Sequence, residues 1–331
     1  MRAIEGPQYA DIHRPMLATI FNIVAPVFLV IAAGYLATRG RLLDDGMISG
    51  LMSFAVRFAV PCLLFLATSG MDLGSAYDWR LMSAFYLGSS VSFAVATLLA
   101  WRLFGRTPGS AVAVGFSALF SNLVLLGLPI SERAWGVDTP AMATAYALVS
   151  IHAPFCYLLG IASMELLRAD GRSPSATMKV VVRAMFRNSL MIGILLGFAV
   201  NLSGLALPGA LLSSVEIVAR AALPAALFGL GGTLTRYSLK ASLGEASSIA
   251  GISLLLHPAI ALGVCRLLGV DSELTNAVVL MAAMAPGVNS YLFASMYQRG
   301  EDTAASNVLL GTAASVVSIS AWLWLLGVSG A

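Results

Sequence analysis

Charge is what this chain has least of. Asp, Glu, Lys and Arg make up 11% of its 331 residues against 59% hydrophobic, too few to hydrate the surface of a soluble globule of this size. Histidine and cysteine are scarce too, at three each. Cys62, Cys156 and Cys265 lie in apolar stretches at no metal-ligand spacing, which marks them as small buried hydrophobes and excludes a disulfide framework. There is no His-Glu-x-x-His, no pair of intramembrane aspartates and no nucleophile with a base in reach of it. An intramembrane enzyme would therefore lack its reacting groups, and the chain is expected to be neither an enzyme nor a holder of metal or cofactor. The net charge of +3 carries no signal for nucleic acid.

What the chain has in abundance is apolar length. Its hydrophobic runs are each about 20 residues long, enough for a helix to cross about 30 Å of hydrocarbon at 1.5 Å per residue; β-barrel spans would be shorter and alternating. The reading is an all-α polytopic membrane protein with ten spans, at 18–37, 47–69, 82–103, 110–130, 140–165, 188–205, 211–233, 246–268, 274–297 and 303–328. Residues 1–15 form a polar tail, 16–167 a first set of five helices, 168–187 a basic loop and 188–331 a second set of five. The first apolar run lacks a small-residue cleavage site and is expected to stay as a span.

Orientation follows from the basic residues. The loops after spans 1, 3, 5, 7 and 9 carry twelve Lys and Arg and the other side carries five, with Arg57 and Arg220 inside spans. Positive loops stay cytoplasmic, so both termini are expected outside the cytoplasm. The loop with Arg168, Arg172, Lys179, Arg183 and Arg187 fixes this topology and offers a contact to lipid.

The chain also repeats itself. Arg57-Phe-Ala-Val-Pro61-Cys-Leu-Leu64-Phe65 in span 2 answers Arg220-Ala-Ala-Leu-Pro224-Ala-Ala-Leu227-Phe228 in span 7, 163 residues on. Trp101-Arg102-Leu103-Phe-Gly105 answers Cys265-Arg266-Leu267-Leu-Gly269, and Gly136-Val-Asp138-Thr139 answers Gly300-Glu-Asp302-Thr303, both at 164. Gly34-Tyr35 and Gly197-Phe198 agree at 163. A unit of five spans starts its second copy from the opposite face, which gives two inverted repeats and two states of similar energy.

Helix-breaking residues at matching places in the two units point to the binding site. Span 4 reads Phe120-Ser121-Asn122-Leu-Val-Leu-Leu-Gly127-Leu-Pro129, and span 9 reads Ala283-Met-Ala285-Pro286-Gly287-Val-Asn289-Ser290-Tyr291. Proline removes a backbone donor and glycine permits geometries other residues resist, so helices 4 and 9 are expected to break and cross. Freed backbone groups need partners, which a ligand-filled cavity supplies. An anion suits the N-terminus of a half-helix, and the amides of Asn122 and Asn289 can donate to a carboxylate. The same residues allow a second reading, in which the prolines are ordinary helix kinks and each asparagine bonds a neighbouring helix.

At these residues the chain resembles the auxin efflux carrier family, which shares a ten-helix fold with the bile acid sodium symporter group. The likeness runs from span 1 to span 10 and is most specific in Asn122-x4-Gly127-x-Pro129 and in Pro286-x2-Asn289 with Ala294 and Tyr297; Pro61 and Pro224 also fit. The resemblance implies a scaffold of spans 1, 2, 6 and 7, a mobile domain of spans 3 to 5 and 8 to 10, elevator-like movement and a homodimer. It also implies a small organic anion as substrate, such as malonate or malate. The long central loop of many plant members is short here, their acidic residue in span 3 has no clear counterpart, and Ser189 stands where relatives often have proline, so auxin is poorly supported as substrate. A channel or a sensor for small organic solutes is the alternative class.

Three further features complete the candidate set. Arg57 sits near the middle of a span, where a cation costs on the order of 3 kcal/mol. Arg220 has Glu216 one turn before it as an ion-pair partner, but the equivalent of Glu216 before Arg57 is Ser53. Arg57 is therefore expected to anchor a substrate carboxylate, or else to snorkel or pair with an acid elsewhere. His152 in span 5 and His257 in span 8 could carry a coupling proton, or each could be a neutral ring bonded to a carbonyl. Asp138 and Asp302 are expected to cap helices. No carboxylate lies in either broken segment, so the coupling ion, proton or sodium, is left open.

Overall fold

A computed structural model of the chain describes residues 9–168, 188–237 and 243–328. The basic loop and most of the N-terminal tail lie outside the described residues. The described chain is helical apart from one isolated β-bridge, and seven of its helices are long and apolar enough to cross a membrane. In chain order the elements are α1 (Tyr9–Arg39), α2 (Asp45–Ser69), α3 (Trp79–Arg102), α4 (Pro108–Leu119), α5 (Leu128–Trp135), α6 (Pro140–Arg168), α7 (Ser189–Ser203), α8 (Gly209–Leu234), α9 (Leu243–Leu267), α10 (Ser272–Ala282), α11 (Asn289–Met296) and α12 (Glu301–Leu325). Helix α1 begins inside the stretch read as a polar tail.

Caps and prolines explain where these helices start and bend. The side chains of Asp44, Asp78, Asn188 and Asp271 each accept an amide hydrogen bond in the first turn that follows. The expected caps Asp138 and Asp302 are displaced. Thr139 Oγ1 takes the Met142 amide ahead of α6, and Asp302 lies inside the first turn of α12, whose N-cap is Gly300. Three π-bulges interrupt the helical ladder, at Ala55–Ala59, Leu123–Gly127 and Ile252–Leu256. Each ends two residues before a proline: Pro61, Pro129 and Pro258. A proline cannot donate to the carbonyl four residues back and crowds it, so the turn widens and the ladder shifts to i→i+5 partners.

Small residues let the helices approach closely, as membrane packing favours. Helix α1 packs against the second half of α8, and α7 against the second half of α2. A Cβ on Gly34 would collide with the Phe228 carbonyl oxygen, and one on Gly197 would stand 2.6 Å from the Phe65 carbonyl oxygen. Gly231 abuts the Ile31 carbonyl, while Thr68 Oγ1 donates to the Ile194 carbonyl at 3.3 Å. Around these four helices, α3 packs on α4 and α9, α6 on α4 and α10, and α9 on α10 and α12. The α3–α4 connection is tied to α9 and α12 by Arg106. Its guanidinium reaches both oxygens of the buried Glu245 at 2.6 and 3.0 Å and also donates to Thr303 Oγ1.

Candidate functional site at the helix crossover

Both expected breaks are present, and they meet. Helix α4 stops at Leu119, and Phe120 and Asn122 leave helical geometry before the chain resumes in a π-bulge and α5. Helix α10 stops at Ala282 and α11 starts at Asn289. Between the two gaps Ser121 and Pro286 form an antiparallel bridge: the Asn122 amide donates to the Ala285 carbonyl, and the Gly287 amide to the Phe120 carbonyl, each at 2.8 Å. The two interruptions satisfy part of each other's freed backbone, which is what permits irregular chain deep in an apolar fold. Proline fits at position 286 because its neighbours, not its own nitrogen, make these bonds. The ring rests on Gly311 of α12, where a Cβ would stand 2.6 Å from Pro286 Cδ, and a Cβ on Gly287 would stand 3.1 Å from the Phe120 ring.

A cavity of about 240 Å³ opens beside this bridge. Ser121, Asn122, Gly287, Asn289 and His152 line it, together with Met52, Val56 and Val60 of α2 and Leu190, Met191 and Ile194 of α7. Its polar inventory is neutral. Asn122 Oδ1 accepts from the Leu125 amide at 3.2 Å, but Asn122 Nδ2 and Ser121 Oγ are buried with no hydrogen-bond partner among the described residues. The amides of Val288 and Asn289, at the start of α11, make no hydrogen bond among the described residues. Buried donors without acceptors cost about 1–3 kcal/mol each, so this arrangement is complete only with a hydrogen-bonding occupant, and the half-helix end favours a negative one.

The other sequence-derived candidates fall elsewhere. Gly127 is wedged against Met281, with 2.9 Å from a Cβ to Sδ, and Pro129 lines a separate vestibule. Ser290, the second residue of α11, is fully buried with Oγ unpartnered among the described residues. His152 Nε2 meets the Ser121 carbonyl at 3.1 Å and His257 Nε2 meets the Phe85 carbonyl at 3.0 Å. A carbonyl only accepts, so both rings carry the proton on Nε2 in this arrangement. Only His152 reaches the cavity. Arg57 is exposed on the side of α2 away from Val56 and Val60 and lines a different groove with Pro61 and Phe65. The structure does not bring it to the crossover. Nor do Glu216 and Arg220 form the expected ion pair; both line the vestibule, about 880 Å³, with Glu132, Arg133 and Asp138. Among the described residues no three His, Cys, Asp or Glu side chains group as a metal ion would require.

Two residues escaped the sequence reading. Arg133 of α5 donates to the carbonyls of Asn22, at 2.7 Å, and Ile23, at 3.2 Å, in α1. The Asn22 carbonyl is the one that Pro26 leaves without a helical donor, so Pro26 was the signal. The carbonyl freed by Pro258 is treated the same way: Leu254 accepts from Trp322 Nε1 at 3.0 Å. Asn307 of α12, one turn before the Gly311 that seats Pro286, is fully buried with both amide atoms unpartnered among the described residues.

Broken helices meeting inside a bundle of apolar helices, with unsatisfied donors beside the break, define a multi-pass membrane transport protein. The family model described as "Membrane transport protein" matches residues 19–323, and the chain belongs to this family, that of the auxin efflux carriers. It is 26% identical over 316 residues to the "Putative malonate transporter" of Rhizobium meliloti, covering 94% of this chain and 97% of that one. It is 26% identical to an "Uncharacterized transporter" of Methanothermobacter thermautotrophicus, over 90% of this chain and 96% of that one. Identity to Arabidopsis thaliana "Auxin efflux carrier component 8" is 20%, over 96% and 99% of the two chains.

Proposed function

We propose that the protein is a secondary transporter that carries a small organic anion, a mono- or dicarboxylate of the malonate or malate kind, across the cytoplasmic membrane. The observation that carries this reading is the crossover cavity. Asn122 and Ser121 line it, with Asn122 Nδ2 and Ser121 Oγ buried beside it without hydrogen-bond partners among the described residues and the Val288 and Asn289 amides unbonded there, and a carboxylate accepts several such bonds at once. Asn289 contributes a second side-chain amide, and Pro286, Gly287, Ser290, Gly127 and Pro129 hold the two breaks in register. The name of the Rhizobium meliloti relative supports malonate as the first substrate to try.

Alternating access is proposed to come from two inverted five-helix repeats, counted over ten spans with α4–α5 and α10–α11 as the broken ones. Contacts support this because they come in swapped pairs. Gly34 against Phe228 is answered by Gly197 against Phe65, and Ile31 against Gly231 by Ile194 against Thr68, all at an offset of 163 residues. The repeat-matched glycines Gly105 and Gly269 both take φ of +64°, a left-handed conformation, after α3 and α9. In this reading α3–α6 and α9–α12 move as one body against α1, α2, α7 and α8, both termini are outside the cytoplasm, and the protein works as a homodimer. The Arg133 bond to α1 then crosses the sliding boundary and must break in each cycle. Proton coupling through His152 is a secondary proposal, supported by its place in the cavity lining, while its bond to the Ser121 carbonyl is what a neutral structural ring would make.

The test is exchange in proteoliposomes loaded with labelled malonate, with unlabelled mono- and dicarboxylates outside. Saturable counterflow that Asn122→Ala removes is expected. Non-saturating flux in both directions would replace the carrier by a channel, and no flux with any acid would turn the reading toward a sensor.

A further inference from the structure

The groove that holds Arg57 is separate from the crossover and has a chemistry of its own. It encloses about 740 Å³ between α2, α7 and the first half of α8. Its walls are Pro61, Phe65, Leu196, Leu211 and Val215 among other apolar side chains, and among the described residues Arg57 is the one ionisable group at its rim apart from the Cys62 thiol. The three ion pairs found among the described residues join Arg80 to Asp78, Arg106 to Glu245 and Arg236 to Asp45, and none involves Arg57.

Helix register gives the depth of this cation. Helices α2 and α7 run parallel: Gly193 abuts the Pro61 carbonyl, Gly197 the Phe65 carbonyl, and Asn201 Nδ2 donates to the Ser69 carbonyl at 3.0 Å. One turn earlier in the same register, Arg57 is level with Ser189, the first residue of α7, which also lines the groove. The guanidinium therefore sits level with the start of α7, mid-way along the longer α2, which runs on for twelve residues beyond it, back to Asp45, against the second half of α8. From there the apolar walls follow α7, whose fifteen residues rise about 22 Å, more than the ~15 Å of one leaflet's hydrocarbon.

We propose that this groove binds an anionic phospholipid of the surrounding bilayer, with its phosphate on Arg57 beside the start of α7 and an acyl chain along α2 and α7. Charge complementarity argues for this occupant. A lone guanidinium at the head of a long apolar groove matches a molecule with one anionic end and a hydrocarbon remainder. The proposal is independent of which solute the crossover carries.

Native mass spectrometry of the purified protein, titrated with phosphatidylglycerol or phosphatidylcholine of equal chain length, tests it. Wild type is expected to hold phosphatidylglycerol with about a fivefold preference. Arg57→Gln should lose that preference and Arg57→Lys should keep it; Arg220→Gln, in the vestibule, should also keep it. Equal retention of the two lipids by wild type, an unchanged preference in Arg57→Gln, or a lipid-free dimer that excludes both lipids would each overturn the assignment. The last of these would give the groove to a second copy of the chain. If Arg57→Gln fails to fold, the wild-type preference together with Arg57→Lys decides the question.

Discussion

Helices α2 and α7 border two cavities on opposite flanks, and the two are built on opposite principles. On one flank Val56, Val60 and Ile194 face the crossover, which among the described residues has no charged side chain in its lining but carries buried donors without acceptors and two broken backbones. On the other, Arg57, Pro61 and Gly193 face a groove walled by helices that keep running past it, with one cation that is unpaired among the described residues. The difference teaches that in an apolar bundle a charge and a site are separate things. Interrupted backbone must be satisfied internally or by a ligand, so it marks the place where a solute is held. A long cationic side chain can instead reach the edge of the bundle and need not mark the solute's path.

The largest effect expected from breaking this contrast is at Asn122. Loss of one amide bond to a charged solute is worth about 1.5–3 kcal/mol, so Asn122→Ala should weaken malonate exchange on the order of 10- to 100-fold, read as the half-saturating concentration in proteoliposomes. Asn289→Ala should act in the same direction, and the double variant should lose no more than the two losses combined if both amides hold one carboxylate.

Next comes Gly311→Ala, which touches no solute. Its methyl would meet the Pro286 ring, and overpacking costs about 1–3 kcal/mol. A drop in melting temperature together with slower exchange is expected; unchanged exchange would mean that the seating of Pro286 does not matter to the site. Arg133→Gln sharpens the comparison from outside the cavity. It strips the Asn22 carbonyl of its donor and removes a bond across the proposed sliding boundary, worth about 1–3 kcal/mol. A cysteine placed at Val56 should then change its rate of reaction with a thiol reagent, as the population shifts away from the observed state. The smallest effect belongs to Arg57→Gln. Half-saturation for malonate in neutral-lipid vesicles should stay within about twofold of wild type, since less than about 0.4 kcal/mol of solute binding is assigned to it.

Much of this architecture was legible in the residues. Apolar length located the helices to within a few positions, because crossing a bilayer fixes how many residues a helix needs. Pro286, Gly287, Asn122 and Pro129 revealed both breaks, because proline and glycine act on their own backbone. What escaped depends on facing and register. The sequence puts Arg57 one residue from Val56, yet the rotation from one residue to the next within the π-bulge sends them to different cavities. Glu216 and Arg220 share a helical face without pairing, since each side chain turns to the vestibule. Asp138 and Thr139 are adjacent potential caps, and the hydrogen bond to the Met142 amide falls to Thr139. The Arg133 bond needed the partner helix, although Pro26 announced a carbonyl looking for a donor. Asn307 was visible as an amide in an apolar span, but its complete lack of partners was not.

The most direct measurement is labelled malonate exchange in proteoliposomes for wild type, Asn122→Ala and Arg57→Gln side by side. Saturable exchange that Asn122→Ala loses and Arg57→Gln retains is the expected result. Exchange that survives Asn122→Ala and disappears in Arg57→Gln would contradict it and move the solute from the crossover to the groove.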